Sequence, residues 1–182
     1  MTITLFTQTL IRKSERALTS AALALRNGDC DTAVNRSYYA MFDIVRAALL
    51  RTGIAEDDMP RTHGEVSEAF WRSAVQSGQI DPHLGAELSR TESLRIAADY
   101  TGVEIDPETA AGAVEKAELF LQTVRRVFSL DEPFPDHDDK VSEADIETEQ
   151  SQARSIDVRS SWLEEERRQA RENWLRLRQH MN

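Results

Sequence analysis

The sequence predicts an all-α protein, an antiparallel up-and-down bundle of four to five helices with a C-terminal linker and an extra helix. Apolar residues recur at the three- and four-residue spacing of a helix face through five segments. Glycine, proline or Asx residues separate these segments, and no stretch alternates polar and apolar residues as a half-buried strand would. At 182 residues the chain has room for one ordinary domain of about 100 to 200 residues and an appendage.

The first two predicted helices are marked by their ends. The first covers residues 4 to 27, where an Asn-Gly pair suits the left-handed conformation that ends many helices. The second covers residues 31 to 52, with Asp29 or Asp31 as its N-cap and Gly53 after its last turn. Short loops of this kind favour antiparallel neighbours.

Three more helices complete the predicted bundle. The third, over residues 62 to 77, follows a proline and stops at Gly78. The fourth, over residues 81 to 99, and the fifth, over residues 106 to 129, each begin at an Asp-Pro pair. Proline fits the first turn of a helix because the N–H group that it lacks would have no partner there. The five segments together define a bundle domain over residues 1 to 130.

The composition changes beyond Leu130. Residues 131 to 149 contain nine acids and one lysine, a charge of −8 out of the total of −10. A stretch this charged cannot bury enough apolar surface to fold alone, so residues 131 to 158 are predicted to form an acidic linker. Residues 159 to 182 are predicted to form a charged amphipathic helix that binds a partner protein, docks on its own bundle or remains a solvated extension. The candidate partner-binding residues are Trp162, Trp174 and Leu177.

Several classes of site are not predicted. Cys30 is the only cysteine, which excludes an intrachain disulfide and a cysteine metal cage. The spacing of the four histidines matches no metal site, so neither a metal nor a cofactor is expected. The sequence shows no secretory signal and no uncharged apolar run of about 18 residues, which leads us to expect a cytoplasmic protein that does not enter a membrane.

The most informative stretch is the predicted second helix, which carries polar residues among apolar ones. Arg36 and Asp43 are two helical turns apart on one face, about 10 Å along the axis, with Tyr39 between them. Arg36 either forms a structural ion pair with an acid of another helix, such as Asp99, or is held for a function. A neighbouring apolar stripe is predicted to face the core, and it consists of Val34, Tyr38, Met41, Val45 and Leu49.

Three segments resemble the HEPN family, in the branch with an N-R-x-Y-Y-A-x-F signature. They are that signature at residues 35 to 42, R-T-H-G at residues 61 to 64 and R-I-A-A-D-Y at residues 95 to 100. The resemblance covers roughly residues 5 to 128. Members of that family are small helical bundles that act as RNA-cleaving toxins, or as RNA- and nucleotide-binding partners in toxin–antitoxin and defence loci. The resemblance implies RNA as a partner, a homodimer, and a nucleotidyltransferase-like or other protein partner.

The resemblance also implies site residues. Nuclease members carry an arginine followed after four to six residues by a histidine, and two such motifs face each other across a homodimer to cut RNA without metal. Arg36 matches the arginine, whereas Asp43 stands where the histidine would follow. Aspartate is ordinarily only a proton acceptor, and we expect a nearby arginine to keep it ionised. The candidate catalytic residues are Arg36, Asp43 and, as a substitute acid, His63; the candidate RNA-binding residues are Arg36, Tyr39, Arg61 and Arg95.

The sequence therefore predicts a HEPN-like RNA-binding protein of a toxin–antitoxin or defence module. If active, it would be a metal-independent endoribonuclease with a weakened site, because the carboxylate of Asp43 replaces the histidine and repels the scissile phosphate. The alternative is a non-catalytic dimeric interaction module, or an antitoxin-like regulatory subunit, that binds a partner through the C-terminal helix. Two residues keep structural alternatives: His63 in capping and loop packing, and Arg95 in an ordinary surface ion pair with Asp99.

Overall fold

Every regular secondary-structure element of the described residues is a helix, which confirms the predicted fold class. A computed structural model describes residues 4–131. Its α-helices, in chain order, are α1 Leu5–Arg26, α2 Cys30–Arg51, α3 His63–Phe70, α4 Pro82–Tyr100 and α5 Pro107–Val127. Among these helices, none combines the length and the apolar character that a membrane crossing requires. The predicted acidic linker and charged C-terminal helix, with Trp162, Trp174 and Leu177, lie outside the described residues.

The helix ends show which polar residues satisfy the first backbone N–H groups. Asp29, rather than Asp31, caps α2, since its Oδ1 accepts a hydrogen bond of 3.1 Å from the backbone N–H of Thr32. The preceding Gly28 has a φ of +78°, a left-handed conformation that glycine adopts without steric cost. An aspartate N-cap followed by proline opens both α4 and α5, as their sequences predict.

Helix α2 is the central helix, because it contacts each of the four other α-helices. The predicted core stripe is confirmed, since all five of its side chains are fully buried: Val34, Tyr38, Met41, Val45 and Leu49. Burial of side chains of this size contributes about 1.5 to 3 kcal/mol each. Arg36, Tyr39 and Asp43 lie on another face of α2 and are half-buried. The packed stripe therefore fixes the helix that carries the candidate site.

The third predicted helix is interrupted. Helix α3 ends at Phe70, and a π-helical turn follows over Trp71–Val75, in which the N–H of Gln76 donates to the carbonyl of Trp71 at 2.9 Å. The apolar spacing predicts an uninterrupted helix, which is wrong at this point. Helix α4 passes here with Gly85, where a Cβ atom would lie 2.5 Å from Val75 Cγ2. The π-helical turn packs against α4 at Gly85, where no side chain is present. This contact between two segments cannot be predicted from the local sequence pattern.

Candidate functional site

Arg36 is held in place by two neighbours on its own helix. Its Nε and Nη2 donate hydrogen bonds of 3.2 and 2.6 Å to Asn35 Oδ1. Its guanidinium carbon lies 4.9 Å from the centroid of the Tyr39 ring, within the range of a cation–π interaction. Across residues 4–131, Arg36 forms no ion pair with a carboxylate. The positive charge is therefore oriented without being neutralised in this part of the chain.

Asn35 joins Arg36 to helix α4. Its Nδ2 donates to the carboxylate of Asp99, 3.1 Å from Oδ2 and 3.4 Å from Oδ1. A carboxylate only accepts and a guanidinium only donates, so the two partners fix which end of the amide faces which group. The direct ion pair between Arg36 and Asp99, one alternative left open by the sequence, does not form. The amide of Asn35 stands between the two charges and aims the guanidinium.

A pocket of about 350 Å³ lies beside Arg36, between α1 and α2. It is lined from α1 by Lys13, Arg16, Ala17 and Ser20, and from α2 by Arg36, Tyr39 and Asp43. The lining therefore carries three cations and one carboxylate. Sequence reasoning identified the three residues from α2 and missed the two cations from α1. Their spacing was visible, since residues 13, 16, 17 and 20 share one face of a helix, but the packing of that face against Arg36 was not.

Asp43 lies where burial opposes the effect of a nearby arginine on its pKa. Burial raises the pKa of this carboxyl, and the electrostatic interactions with Arg46, Lys13 and His63 and the hydrogen bond from Arg46 offset the rise only in part. Its partner is Arg46, with Nη1 3.6 Å from Asp43 Oδ1, and the Asp43 side chain is 16% exposed. Arg46 loses solvent as well, and burial lowers its pKa. The ion pair with Arg46 does not hold the pKa of Asp43 below its ordinary value, because desolvation outweighs the ion pair. Asp43 is therefore protonated more readily than an exposed aspartate.

His63 is a buried residue at the start of α3 and does not line the pocket. Its Nδ1 lies 2.5 Å from the hydroxyl oxygen of Tyr38, and its ring stacks on Phe42 with 4.3 Å between centroids. The preceding Thr62 forms a capping box with Glu65: Thr62 Oγ1 accepts from the N–H of Glu65, and Glu65 Oε2 accepts from the N–H of Thr62. The R-T-H-G segment thus caps α3 and packs its first turn, the structural alternative that the sequence had left open.

The two other candidate RNA-binding arginines lie apart from the pocket. Arg61 is exposed before α3, where its backbone N–H donates to Glu65 Oε2 at 3.2 Å. Arg95 is 4% exposed, and its guanidinium carbon lies 5.3 Å from the Tyr38 ring centroid. Its Nη1 is 3.6 Å from Asp99 Oδ2. The predicted ion pair between Arg95 and Asp99 therefore forms, but it is not an ordinary surface pair, because the arginine is buried against Tyr38. The structure brings only Arg36 and Tyr39 of the four predicted residues to the pocket.

The helical bundle matches a known family. The sequence model of the HEPN domain matches residues 7–127, more than half of the chain. The chain belongs to the HEPN domain family. A UPF0332 protein of Thermotoga maritima is 34% identical to this HEPN protein over 117 residues, which cover 64% of this chain and 86% of the relative. Two proteins of Methanocaldococcus jannaschii, each named as a candidate toxin, are 30% identical over 119 and 118 residues, covering 65% and 64% of this chain and 86% and 78% of the relatives.

The family match contains the whole pocket and the buried environment of His63. Both lie between residues 7 and 127 of this HEPN protein. Within the described residues, no three His, Cys, Asp or Glu side chains are placed to hold a metal ion. The described side chains can offer two functions at the pocket. The guanidinium of Arg36 can bind an anion, and the adjacent carboxyl of Asp43 can exchange a proton.

Proposed function

We propose that this HEPN protein binds RNA through a phosphate group held by Arg36, as a toxin-like member of a toxin–antitoxin or defence module. The family and the two relatives named as candidate toxins support the toxin-like role. The observation that supports RNA binding is the position and charge of the Arg36 guanidinium. Its guanidinium is aimed by Asn35 and Tyr39 beside a pocket, and no carboxylate of the described residues neutralises it.

The hydrogen bonds of Arg36 leave donors for a ligand. An arginine has five N–H groups, and Asn35 engages the one on Nε and one on Nη2. The remaining N–H groups lie in one plane, and a planar fork of donors matches two oxygens of a phosphate. Because Asn35 and Tyr39 already restrict the side chain, binding costs less rotamer entropy than it would for a mobile surface arginine. These features favour a phosphate-binding role over a structural role for the charge of Arg36.

RNA cleavage by this site is slow in our proposal. Attack by the ribose 2′-hydroxyl needs a base, an acid for the leaving oxygen and a cation for the phosphorane. Arg36 supplies the cation, and the raised pKa makes Asp43 a stronger base than an ordinary aspartate. When ionised, however, Asp43 repels the phosphate that Arg36 binds, and near neutral pH it is a poor acid. A homodimer that presents two copies of Arg36 to one RNA is part of the proposal.

The experiment compares RNA binding and cleavage in matched variants. A labelled single-stranded RNA is titrated in fluorescence anisotropy with the parent, with Arg36→Ala and with Arg12→Ala. Arg12 is the control because it is an exposed arginine of α1, bonded to Thr9 and absent from the pocket lining. Arg36→Ala is expected to weaken binding about tenfold or more, equivalent to about 1.4 kcal/mol, while Arg12→Ala changes it little.

Cleavage is measured on the same RNA in the presence of a chelator. The parent is expected to cut slowly and Arg36→Ala not at all. Asp43→His is expected to cut faster, because an imidazole with a pKa near 6.5 can serve both proton-transfer steps. Absence of RNA binding by the parent, together with no gain in Asp43→His, would contradict the proposal. That result would favour the dimeric interaction module in which Arg36 is structural.

A further inference from the structure

We infer that Lys13 and Arg16 of α1 join Arg36 in a receptor for the terminal phosphate of an RNA, formed within a single protomer. The inference rests on the proposed function and adds to it a second helix and a class of phosphate. The three cations line one pocket of about 350 Å³. This volume is at the lower end for small-ligand pockets and suits a phosphate with an adjoining sugar.

The α1 side of the pocket is built for an incoming group. Lys13 and Arg16 are both exposed, and in the described part of the chain neither forms an ion pair. The two lining residues that follow them on α1 are Ala17 and Ser20, whose short side chains leave room beside Tyr39. The charge of Lys13 also acts on Asp43 on the α2 side of the pocket. It lowers the pKa of that carboxyl, although the larger effect of burial raises it. The three cations outnumber the single carboxylate of the lining, and they repel one another until an anion lies between them.

The charge of the lining selects between two kinds of phosphate. Three cations and one ionised carboxylate give a charge of +2 (three minus one) for the residues that line the pocket. A terminal phosphate monoester carries about −1.5 to −2 at pH 7, whereas a phosphodiester within a strand carries one negative charge. The monoester therefore balances the pocket more completely. It also offers three terminal oxygens, enough for separate contacts with cations from two helices.

The test uses one short RNA in two forms, with a 5′-phosphate and with a 5′-hydroxyl, titrated at fixed salt with the full chain. The parent is expected to bind the 5′-phosphorylated form about tenfold more tightly. Lys13→Ala and Arg16→Ala are each expected to weaken binding of that form about three- to tenfold and to narrow the difference between the two RNAs. Arg12→Ala, which removes a neighbouring exposed cation of the same helix, is expected to change both affinities by less than about twofold.

The outcomes separate this inference from the proposed function. If Arg36→Ala weakens binding while Lys13→Ala and Arg16→Ala behave like Arg12→Ala, the receptor on α1 is refuted and the proposed function stands. If the α1 variants weaken binding of both RNAs equally, the assignment to a terminal phosphate is overturned. If the parent binds neither RNA, both proposals fail. All three cations are exposed or half-buried, so thermal unfolding is expected to show that the variants remain folded.

Discussion

Asn35 is expected to set the RNA affinity of Arg36 without contacting RNA itself. Substitution of Asn35 by alanine removes the acceptor of two hydrogen bonds from Arg36 and the donor to Asp99. A hydrogen bond to a charged group contributes about 1.5 to 3 kcal/mol, and less where water can replace it. Arg36 is half-buried, so water replaces part of the interaction and the charge itself remains. The main loss is orientation, and we expect a reduction in RNA affinity of about tenfold, or about 1.4 kcal/mol.

A double-mutant cycle measures whether Asn35 acts through Arg36. RNA affinity is determined by fluorescence anisotropy for the parent, Asn35→Ala, Arg36→Ala and the double variant. If Asn35 only orients Arg36, its removal costs nothing further once Arg36 is absent, so the coupling free energy equals the whole effect of Asn35→Ala. A loss of the same size in both backgrounds would refute the reasoning. Asn35→Asp provides a second check, because a carboxylate beside Arg36 would compete with phosphate and weaken binding more than alanine does.

Two further predictions follow from the burial of Asp43 and from the crossing at Gly85. Burial raises the pKa of Asp43, so the folded protein binds this proton more tightly than the unfolded chain does. In urea titrations at pH 7, Asp43→Asn is therefore expected to have a higher free energy of unfolding than the parent, by about 1.4 kcal/mol for each unit by which the pKa is raised. This difference in free energy is expected to shrink as the pH falls through the raised pKa toward the ordinary value of 3.8. An equal difference at pH 7 and at pH 4 would contradict this. Gly85→Ala is expected to lower the free energy of unfolding by about 1 to 3 kcal/mol, because the added Cβ would lie 2.5 Å from Val75 Cγ2. Gly112→Ala is the control, since a Cβ at Gly112 meets no atom within 4 Å. Equal midpoints of thermal unfolding for the two variants would show that the close contact at Gly85 does not destabilise the fold.

Local sequence rules predicted most of the bundle because the helix ends depend on nearby residues. Asp29 and Gly28 fix the break between α1 and α2 through a side-chain cap and a left-handed glycine. The apolar stripe of α2 predicted its buried face by periodicity alone. The π-helical turn at Trp71–Val75 was missed because it depends on where α4 crosses at Gly85, a contact between segments that local spacing does not contain.

Only part of the candidate site could be predicted from the sequence, because the rest depends on contacts between helices. Arg36, Tyr39 and Asp43 share one helix, so their common face follows from their spacing. Lys13 and Arg16 join them only through the packing of α1 on α2. The burial of Arg95 against Tyr38 and the rise in the pKa of Asp43 likewise depend on how much solvent the neighbouring helices exclude. Sequence spacing gives direction along one helix, whereas desolvation is a property of the assembled bundle.

The salt dependence of RNA binding tests most directly whether Arg36 contacts a phosphate. The affinity for a single-stranded RNA is measured over a series of salt concentrations for the parent and for Arg36→Ala. Each phosphate contact contributes about 0.7 to the slope of log affinity against log salt for a single strand. The account predicts weaker binding by Arg36→Ala and a slope reduced by about that amount. Two coincident lines, with the same affinity and the same slope, would contradict it.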